Sequence, residues 1–193
     1  MKTDAELVAG ALRGFEADCR ELVRRFERPV YSLIARMVQD PPTAEDLAQE
    51  VFVKAFRSLA SYDPARKLSS WLFKIAHNAT IDHLRRHQPE TVSLEAEPDE
   101  EGRGWAAVLA DPSAESPAVA IERRDLARAL ERAIGTLRPE YRGAVLMRYA
   151  QGLSYEEICE ATGLPLGTVK TNLHRARKEL AREMTTLGWA PPS

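Results

Sequence analysis

Apolar residues recur at three- and four-residue steps along most of this chain, which is the spacing typical of amphipathic helices. Between residues 4 and 36 the repeat includes Leu22, Phe26, Val30 and Leu33, and it is interrupted near residues 16–18. The pattern predicts two helical pieces here, with Pro29 as a kink or weak point in the second.

The next apolar repeat, Leu47, Val51 and Ala55, predicts a helix from Ala44 to about Leu59. The prolines of the preceding QDPP segment are expected to end the helix before it. Thr43, with Asp46 three residues later, has the spacing of a capping box at the start of the new one. The other faces of this helix are acidic, and by themselves they favour a solvated surface.

A loop containing Pro64 leads to a third segment, where Ser69 or Ser70 is expected to cap a helix that runs to about His87. From Arg66 to His87 there are five Lys or Arg and three His against one acid, Asp82. A basic loop beside an aromatic residue and an Asn is suited to holding unpaired bases and phosphates. Trp71 itself is expected to pack in the core.

The composition changes between residues 88 and 117, where eight acids and four prolines accompany a single basic residue, Arg103. Such a segment has little apolar surface to bury and predicts an extended linker. The chain is therefore predicted to be all-α, with two small helical domains, 1–87 and 118–193, on either side of an acidic, proline-containing linker at 88–117.

Beyond the linker, Ser116 and Pro117 predict the start of a helix to about Ile134, which Gly135 should end. Arg138 and Pro139 should begin another helix, to about Ala150. The apolar face expected for the first of these helices consists of Ile121, Leu126, Leu130 and Ile134.

Residues 153–180 predict two helices that meet at a tight turn. Ser154 and Glu157 have the spacing of a capping box, Gly163 can take the left-handed conformation that ends a helix, and Pro165 cannot prolong it. Apolar residues of both helices can meet between them. The pattern is that of a helix-turn-helix.

The second of these helices is basic: from Pro165 to Arg182 there are five Lys or Arg against one acid, Glu179. Arg and Lys recognise guanine edges or phosphates, and Thr contacts phosphate oxygens or a thymine methyl. The groups that the helix leaves for an outside partner are Lys170, Thr171, His174, Arg175, Arg177 and Lys178. The combination of capped helix, glycine turn and basic helix predicts DNA binding.

Composition limits the classes of function that remain open for this chain. The chain has 193 residues, of which 44% are hydrophobic, and a net charge of −2 that hides separate basic and acidic segments. Cys19 and Cys159 are expected to be buried, reduced thiols, in preference to a redox switch. His83 and His87 lack a third metal ligand, and we find no nucleophile elbow or phosphate loop, so we expect no metal, cofactor, small-molecule substrate or catalytic activity.

Four motifs in this order resemble the extracytoplasmic-function (ECF) group of the sigma-70 family of bacterial RNA polymerase sigma factors. They are DLAQEVFVKAFRSL at 46–59, SSWLFKIAHNATIDHLRR at 69–86, LRPEYRGAVLMRYAQGLSYEEICEATGLPLGTVK at 137–170 and HRARKEL at 174–180. Together they cover about half of the chain.

For the first domain, the resemblance implies sigma region 2. Asp46, Leu47, Gln49 and Glu50 would then face the clamp helices of the largest subunit of core RNA polymerase. Loop 62–69, with Asn78 and Asp82, would capture a melted base of the −10 element. The cations implied around that site are Arg66 and Lys67 in the loop and Arg85 and Arg86, which would grip phosphates.

For the second domain, the resemblance implies sigma region 4, which reads the −35 element as duplex DNA and meets the flap of the second polymerase subunit. The groove-facing set would be Lys170, Thr171, His174 and Arg175, with Arg148 reaching from the preceding helix. An anti-sigma factor is implied as a further partner. The resemblance also implies a cytoplasmic protein, which an anti-sigma factor can hold at the membrane.

One alternative stays open at this point. A helix-turn-helix repressor or activator could bind a palindromic operator as a homodimer, with the amino-terminal helices serving dimerisation or ligand sensing. Such a protein would need neither core polymerase nor a base-capturing loop at 62–69.

Overall fold

A computed structural model describes residues 2–87 and 117–189 of the chain, and this part is built from α-helices without a β-strand. The helices are α1 Asp4–Leu12, α2 Glu16–Val38, α3 Pro41–Arg57, α4 Leu68–His87, α5 Pro117–Thr136, α6 Pro139–Val145, α7 Tyr155–Thr162 and α8 Leu166–Thr186. The all-α prediction is confirmed.

The first domain packs α1, α3 and α4 around the long helix α2. Its centre is formed by side chains such as Val30, Leu33, Ile34 and Val51, which are fully buried. The break between the two predicted amino-terminal pieces lies at residues 13–15, where Gly14 has a φ of +85°. Pro29 lies within α2, which continues on both sides of it.

The start of α3 differs from the prediction. Asp40 is the N-cap, and its carboxylate accepts a hydrogen bond from the backbone N–H of Thr43 at 3.0 Å. Pro41 and Pro42 form the first turn of the new helix, where the missing N–H of proline costs no hydrogen bond. The capping box of Thr43 and Asp46 was therefore wrong. The hydrogen bonds from Thr43 hold the pKa of Asp40 below its ordinary value.

The start of α4 also differs. The helix begins at Leu68, before both serines that were expected to cap it, and Ser70 is buried in its first turns. Trp71 is half-buried against the core, and its ring lies 5.7 Å from that of Tyr62. The packing role predicted for Trp71 is confirmed, whereas the serine cap was wrong.

In the second domain, α5 and α6 pack against α8, and α7 packs against α8 as the helix-turn-helix predicts. Helix α5 continues through Gly135 to Thr136, so the glycine does not end it. Ile121 is 63% exposed and lies outside the core, in contrast to Leu130 and Ile134, which are buried. Pro139 begins α6 as predicted, and one π-helical turn, Leu146–Ala150, follows it.

The two domains contact each other, mainly through α4 against α7 and α2 against α6. The guanidinium of Arg142 is buried there and donates hydrogen bonds to the backbone carbonyls of Met37, Gly135 and Leu137. Gly143 lets α6 approach His77 closely, because a Cβ at this position would lie 3.1 Å from the imidazole ring. The predicted linker, apart from Pro117, lies outside the described residues.

Two further features of the described part bear on function. None of its helices is long and apolar enough to cross a membrane. Cys19 and Cys159 are free thiols, and each is half-buried rather than buried as expected.

Candidate DNA-binding and polymerase-binding surfaces

The helix-turn-helix forms from the local signals in its sequence. The Ser154 side chain accepts a hydrogen bond from the backbone N–H of Glu157 at 3.1 Å, and the Glu157 carboxylate accepts one from the backbone N–H of Ser154 at 2.7 Å. Gly163 ends α7 with a φ of +73°. Ile158, Val169 and Leu173 are buried and hold the two helices together. The predicted capping box and glycine turn are confirmed.

The four basic and polar residues assigned to the −35 element lie on one face of α8, at relative positions 0, 1, 4 and 5. Lys170 is exposed, and Thr171, His174 and Arg175 are half-exposed. The hydroxyl of Thr171 donates to the carbonyl of Gly167 at 2.9 Å, which leaves its oxygen able to accept a further hydrogen bond. The structure therefore brings this set together on an accessible face.

Two arginines of the second domain also make contacts within it. Arg148 donates to the carbonyl of Leu153 at 2.8 Å, and its guanidinium lies 5.0 Å from the ring centroid of Tyr155. Arg175 donates to the hydroxyl of Tyr141 at 3.3 Å. Arg148 thus braces the segment that leads into α7, a role that the sequence did not indicate.

The residues assigned to the −10 element lie in the loop before α4 and on one exposed face of α4; the loop is shorter than the predicted 62–69, because α4 begins at Leu68. Four of them follow the helical repeat along that face: Asn78, Asp82, Arg85 and Arg86. The loop is shaped by its own polar contacts, since the hydroxyl of Tyr62 donates to the carbonyl of Arg66 at 2.6 Å and the Asp63 carboxylate accepts from the N–H of Ala65 at 2.9 Å.

The acidic face of α3 carries three of the four residues assigned to polymerase binding. Asp46, Gln49 and Glu50 are exposed, and Glu50 lies 3.6 Å from Lys54 on the same helix. Leu47 is only 5% exposed and belongs to the core of the first domain. Its assignment to the binding surface was wrong: the helical repeat that buries Val51 and Ala55 also turns Leu47 inward.

The basic loop of the first domain contacts α7 of the second. Lys67 lies 3.0 Å from one carboxylate oxygen of Glu157, and Arg66 lies 2.9 Å from Glu160. Ser70 also donates to Glu157, at 3.1 Å. From the sequence, Glu157 is expected only to cap a helix and Glu160 has no expected role, since nothing in the local pattern indicates a partner so far along the chain.

The contact between the two domains shifts the pKa of two residues, Glu157 and His77. Burial by itself raises the pKa of Glu157, but hydrogen bonds from Ser154, Lys67 and Ser70 outweigh it, and the pKa lies below its ordinary value. Burial lowers the pKa of His77, whose imidazole lies against α6. Glu157 is therefore held as a carboxylate, and His77 is held neutral.

The candidate metal ligands remain a pair. The rings of His83 and His87 stack with their centroids 4.2 Å apart, and no group of three His, Cys, Asp or Glu suited to a metal ion occurs within residues 2–87 and 117–189.

The protein consists of two helical domains, and the second contains a basic helix-turn-helix, which is the architecture of a DNA-binding protein. Comparison with known families places it in the transcription machinery. Residues 22–90 match the family described as Sigma-70 region 2, and residues 127–180 match Sigma-70, region 4. Each match coincides with one of the two groups of helices.

Whole-length relatives agree with these matches. The chain is 33% identical to the ECF RNA polymerase sigma factor SigW of Bacillus subtilis over 86% of this chain and 89% of that protein. It is 32% identical to the RNA polymerase sigma-H factor of Pseudomonas aeruginosa over 95% of each chain. The protein belongs to the ECF RNA polymerase sigma factors. It is a sigma factor that directs RNA polymerase to promoters, so its partners are core RNA polymerase and promoter DNA.

Solved structures share the fold. CnrH, solved in complex with the cytosolic domain of CnrY, is 25% identical and has a TM-score of 0.63, covering 95% of this chain and 97% of CnrH. The sigma factor RpoE of Bartonella quintana, solved with the anti-sigma factor NepR, is 20% identical, with a TM-score of 0.62 over 87% of this chain and 97% of that chain. The second likeness concerns the fold alone.

Proposed function

We propose that this sigma factor recognises promoters through two separate surfaces, one for a melted −10 element and one for a duplex −35 element. The domain assignment is region 2 for residues 1–87, a linker at 88–117, and region 4 for residues 118–193. The observation that carries the proposal is that the two basic surfaces lie on different domains and differ in shape. One is a loop beside a helix, and the other is the exposed face of a helix-turn-helix.

At the −10 element, the loop beside Asn78 and Asp82 holds an extruded base, and Arg85 and Arg86 hold the backbone. Asn offers both a donor and acceptors, and Asp an acceptor, for the edge of a base. Binding an extruded base returns part of the few kcal/mol that unstacking costs. Promoter opening is thereby driven by binding, without a catalytic residue of the sigma factor.

At the −35 element, α8 enters the major groove with Lys170, Thr171, His174 and Arg175 toward the DNA. Base contacts choose the sequence, while phosphate contacts set the register of the helix. Arg148 reaches the DNA backbone or a base edge from the preceding helical turn, and its hydrogen bond to the carbonyl of Leu153 holds the segment that leads into α7.

On core polymerase, the exposed carboxylates Asp46 and Glu50, with Gln49 between them, bind arginines of the clamp in the largest subunit, and the second domain binds the flap of the second subunit. Carboxylate and guanidinium pair in a bidentate geometry that fixes both strength and orientation. Joining two contacts through one chain makes the second effectively intramolecular, so the free protein should bind promoters weakly.

We also propose regulation by an anti-sigma factor. The support is that a sigma factor of the same fold, RpoE of Bartonella quintana, was solved in complex with the anti-sigma factor NepR, and that CnrH was likewise solved with a protein partner, the cytosolic domain of CnrY. Since core polymerase acts in the cytoplasm, we place the protein there, with an anti-sigma factor able to hold it at the membrane.

In vitro transcription tests the proposal. Core RNA polymerase would be combined with the purified protein on a random promoter library, and the start sites would be mapped by sequencing. We expect enrichment of templates with two conserved boxes at a fixed spacing, and no such enrichment with core polymerase alone. The proposal would be refuted if the protein left the start sites unchanged. It would also be refuted if the protein bound a single palindromic site without polymerase.

A further inference from the structure

The loop before α4, residues 63–67, is held between two buried anchors. Tyr62 precedes the loop and is 9% exposed, and Leu68, the first residue of α4, is 2% exposed. All five residues between them are exposed. The loop therefore projects from the first domain with both of its ends fixed in the core.

The backbone of this loop forms a turn that its own sequence stabilises. The N–H of Arg66 donates to the carbonyl of Asp63 at 3.0 Å, and the N–H of Ala65 donates to the Asp63 carboxylate at 2.9 Å. Asp at the first position and Pro64 at the second favour such a turn, because the carboxylate accepts from the backbone two residues on and the proline ring fixes φ. The exposed residues are thus ordered by contacts within the loop.

The side chain of Tyr62 closes this turn from the core. Its hydroxyl donates to the carbonyl of Arg66 at 2.6 Å, which joins the start of the loop to its end. Its ring lies 5.7 Å from that of Trp71 in the first turns of α4, so both contacts lie within the first domain. Burial, and to a smaller extent the carboxylates of Asp4 and Asp63, raise the pKa of Tyr62, so the hydroxyl keeps its proton at neutral pH.

A loop that captures an extruded base gains affinity from holding its shape, because ordering a flexible loop on binding costs free energy. The carbonyl that Tyr62 holds lies in the peptide that joins Arg66 to Lys67. Its hydrogen bond therefore fixes the direction in which both cations leave the backbone. Tyr62 itself is buried, so its effect on DNA is exerted through the loop.

Resting on the function proposed above, we propose that Tyr62 is a positioning residue for capture of the −10 base: its hydroxyl holds loop 63–67 in the shape that the base requires. Phenylalanine at position 62 would keep the ring packing and lose only the hydrogen bond to the carbonyl of Arg66. The loop would then sample other shapes. The extruded base would be held less tightly and distinguished less well from other bases.

The test compares Tyr62→Phe with the wild type in holoenzyme assembled on core RNA polymerase. The probe is a fluorescent single-stranded oligonucleotide that carries the non-template −10 sequence mapped by transcription, together with variants that replace each position in turn by the other three bases. We expect Tyr62→Phe to bind the preferred sequence about two- to tenfold more weakly, the loss typical of one hydrogen bond. The ratio of affinities for the preferred base and the other bases should fall at one position, that of the captured base.

Two controls separate positioning of the loop from a general loss of structure. Tyr31→Phe makes the same change at a half-buried tyrosine on α2, and it should leave the affinity and the base preference unchanged. Duplex −35 DNA should be read equally by the Tyr62→Phe and wild-type holoenzymes, because α8 belongs to the other domain.

A second pair of substitutions acts on the same loop from its exposed side. Asp63→Ala removes the acceptor for the N–H of Ala65, whereas Asp63→Asn retains an acceptor oxygen. Both variants lose the charge that pairs with Arg66, so the difference between them isolates the turn. Asp63→Ala should lower the base preference at the same position as Tyr62→Phe, and Asp63→Asn should lower it less.

A wild-type base preference in Tyr62→Phe would overturn the role of Tyr62. An equal loss of affinity for all four bases would also overturn it, because phosphate contacts by the loop cations would account for such a loss. If Tyr62→Phe lowers the helix content, the comparison of Asp63→Ala with Asp63→Asn decides by the same criteria. Failure of this inference leaves −10 selection by the wild-type holoenzyme intact, whereas failure of the proposed function removes that selection and this inference with it.

Discussion

The guanidinium of Arg142 on α6 donates a hydrogen bond to the backbone carbonyl of Met37 near the end of α2, and thereby joins the two domains through their cores. The same side chain also donates hydrogen bonds to the carbonyls of Gly135 and Leu137. Burial lowers the pKa of Arg142, but a guanidinium remains charged at neutral pH. A buried cation here is compensated by carbonyl dipoles.

Arg142→Met should therefore be destabilising, because it leaves three carbonyl groups without this donor. We expect a loss of at least about 2 kcal/mol in the free energy of unfolding, measured by urea denaturation. Arg138→Met changes an exposed arginine four residues earlier and should stay within about 0.5 kcal/mol of wild type. Equal stabilities of the two variants would contradict this role for Arg142.

Two glycines of the helix-turn-helix should respond in opposite directions to alanine. Gly163 has a φ of +73°, which costs an L-residue about 1–2 kcal/mol, so Gly163→Ala should lower the free energy of unfolding by that amount. Gly167 lies in α8 with open space around its Cβ position, and Gly167→Ala should raise it by about 0.5–1 kcal/mol. Urea denaturation of both variants measures these changes. If both substitutions changed the free energy of unfolding in the same direction, backbone conformation would not explain the effect of alanine at the two positions.

His77 should make stability depend on pH. Its folded-state pKa lies below the ordinary 6.5, so between these values the unfolded chain binds more protons than the folded one. Stability is complete above pH 6.5 and falls as the pH drops toward the folded pKa, by up to about 1.4 kcal/mol per pH unit.

Urea denaturation of the wild type and of His77→Gln across this range measures the effect. The variant should show a smaller slope, and the slope that remains includes His83, whose pKa is lowered by burial and by the nearby charges of His87 and Arg86. A slope that survives His77→Gln unchanged would assign the pH dependence to other groups.

The acidic face of α3 is tested by Asp46→Arg. The substitution places a cation opposite clamp arginines and should abolish pull-down of core polymerase, while circular dichroism shows the same helix content. Glu27→Arg, an exposed charge reversal on α2, should bind normally. Normal polymerase binding by Asp46→Arg would place the interface elsewhere.

Arg175 should read one base pair of the −35 element. With holoenzyme, Arg175→Ala should weaken binding to the preferred base by about 1–3 kcal/mol and relax the choice at that position, whereas Lys170→Ala should weaken all sequences alike if it holds a phosphate. Binding to templates mutated one position at a time measures both effects.

A control is needed because Arg175 also donates to Tyr141. Tyr141→Phe removes that hydrogen bond and leaves the α8 face unchanged. If Tyr141→Phe relaxed the −35 preference as strongly as Arg175→Ala, the arginine would act by positioning α8.

The sequence by itself determined the elements whose signals are local. Ser154 and Glu157 begin α7 by hydrogen bonds to each other's backbone, Gly163 ends it in the left-handed conformation, and Pro139 begins α6 with its fixed φ. Each of these effects acts within a few residues of the side chain that causes it. Local signals also compete: near Thr43, Asp40 offers an equally local cap, and the two prolines fit the first helical turn. Exposure of the α4 and α8 faces also followed from the helical repeat.

Only the tertiary structure decided which residues meet across the chain. Glu157 looks like a capping residue in the sequence, and its second role depends on Lys67 and Ser70, which fold against it from another domain. Ile121 shows the same limit, since the repeat marks an apolar position but not what covers it. Local geometry is set by neighbours in sequence, whereas burial and pairing depend on which surfaces come together when the chain packs.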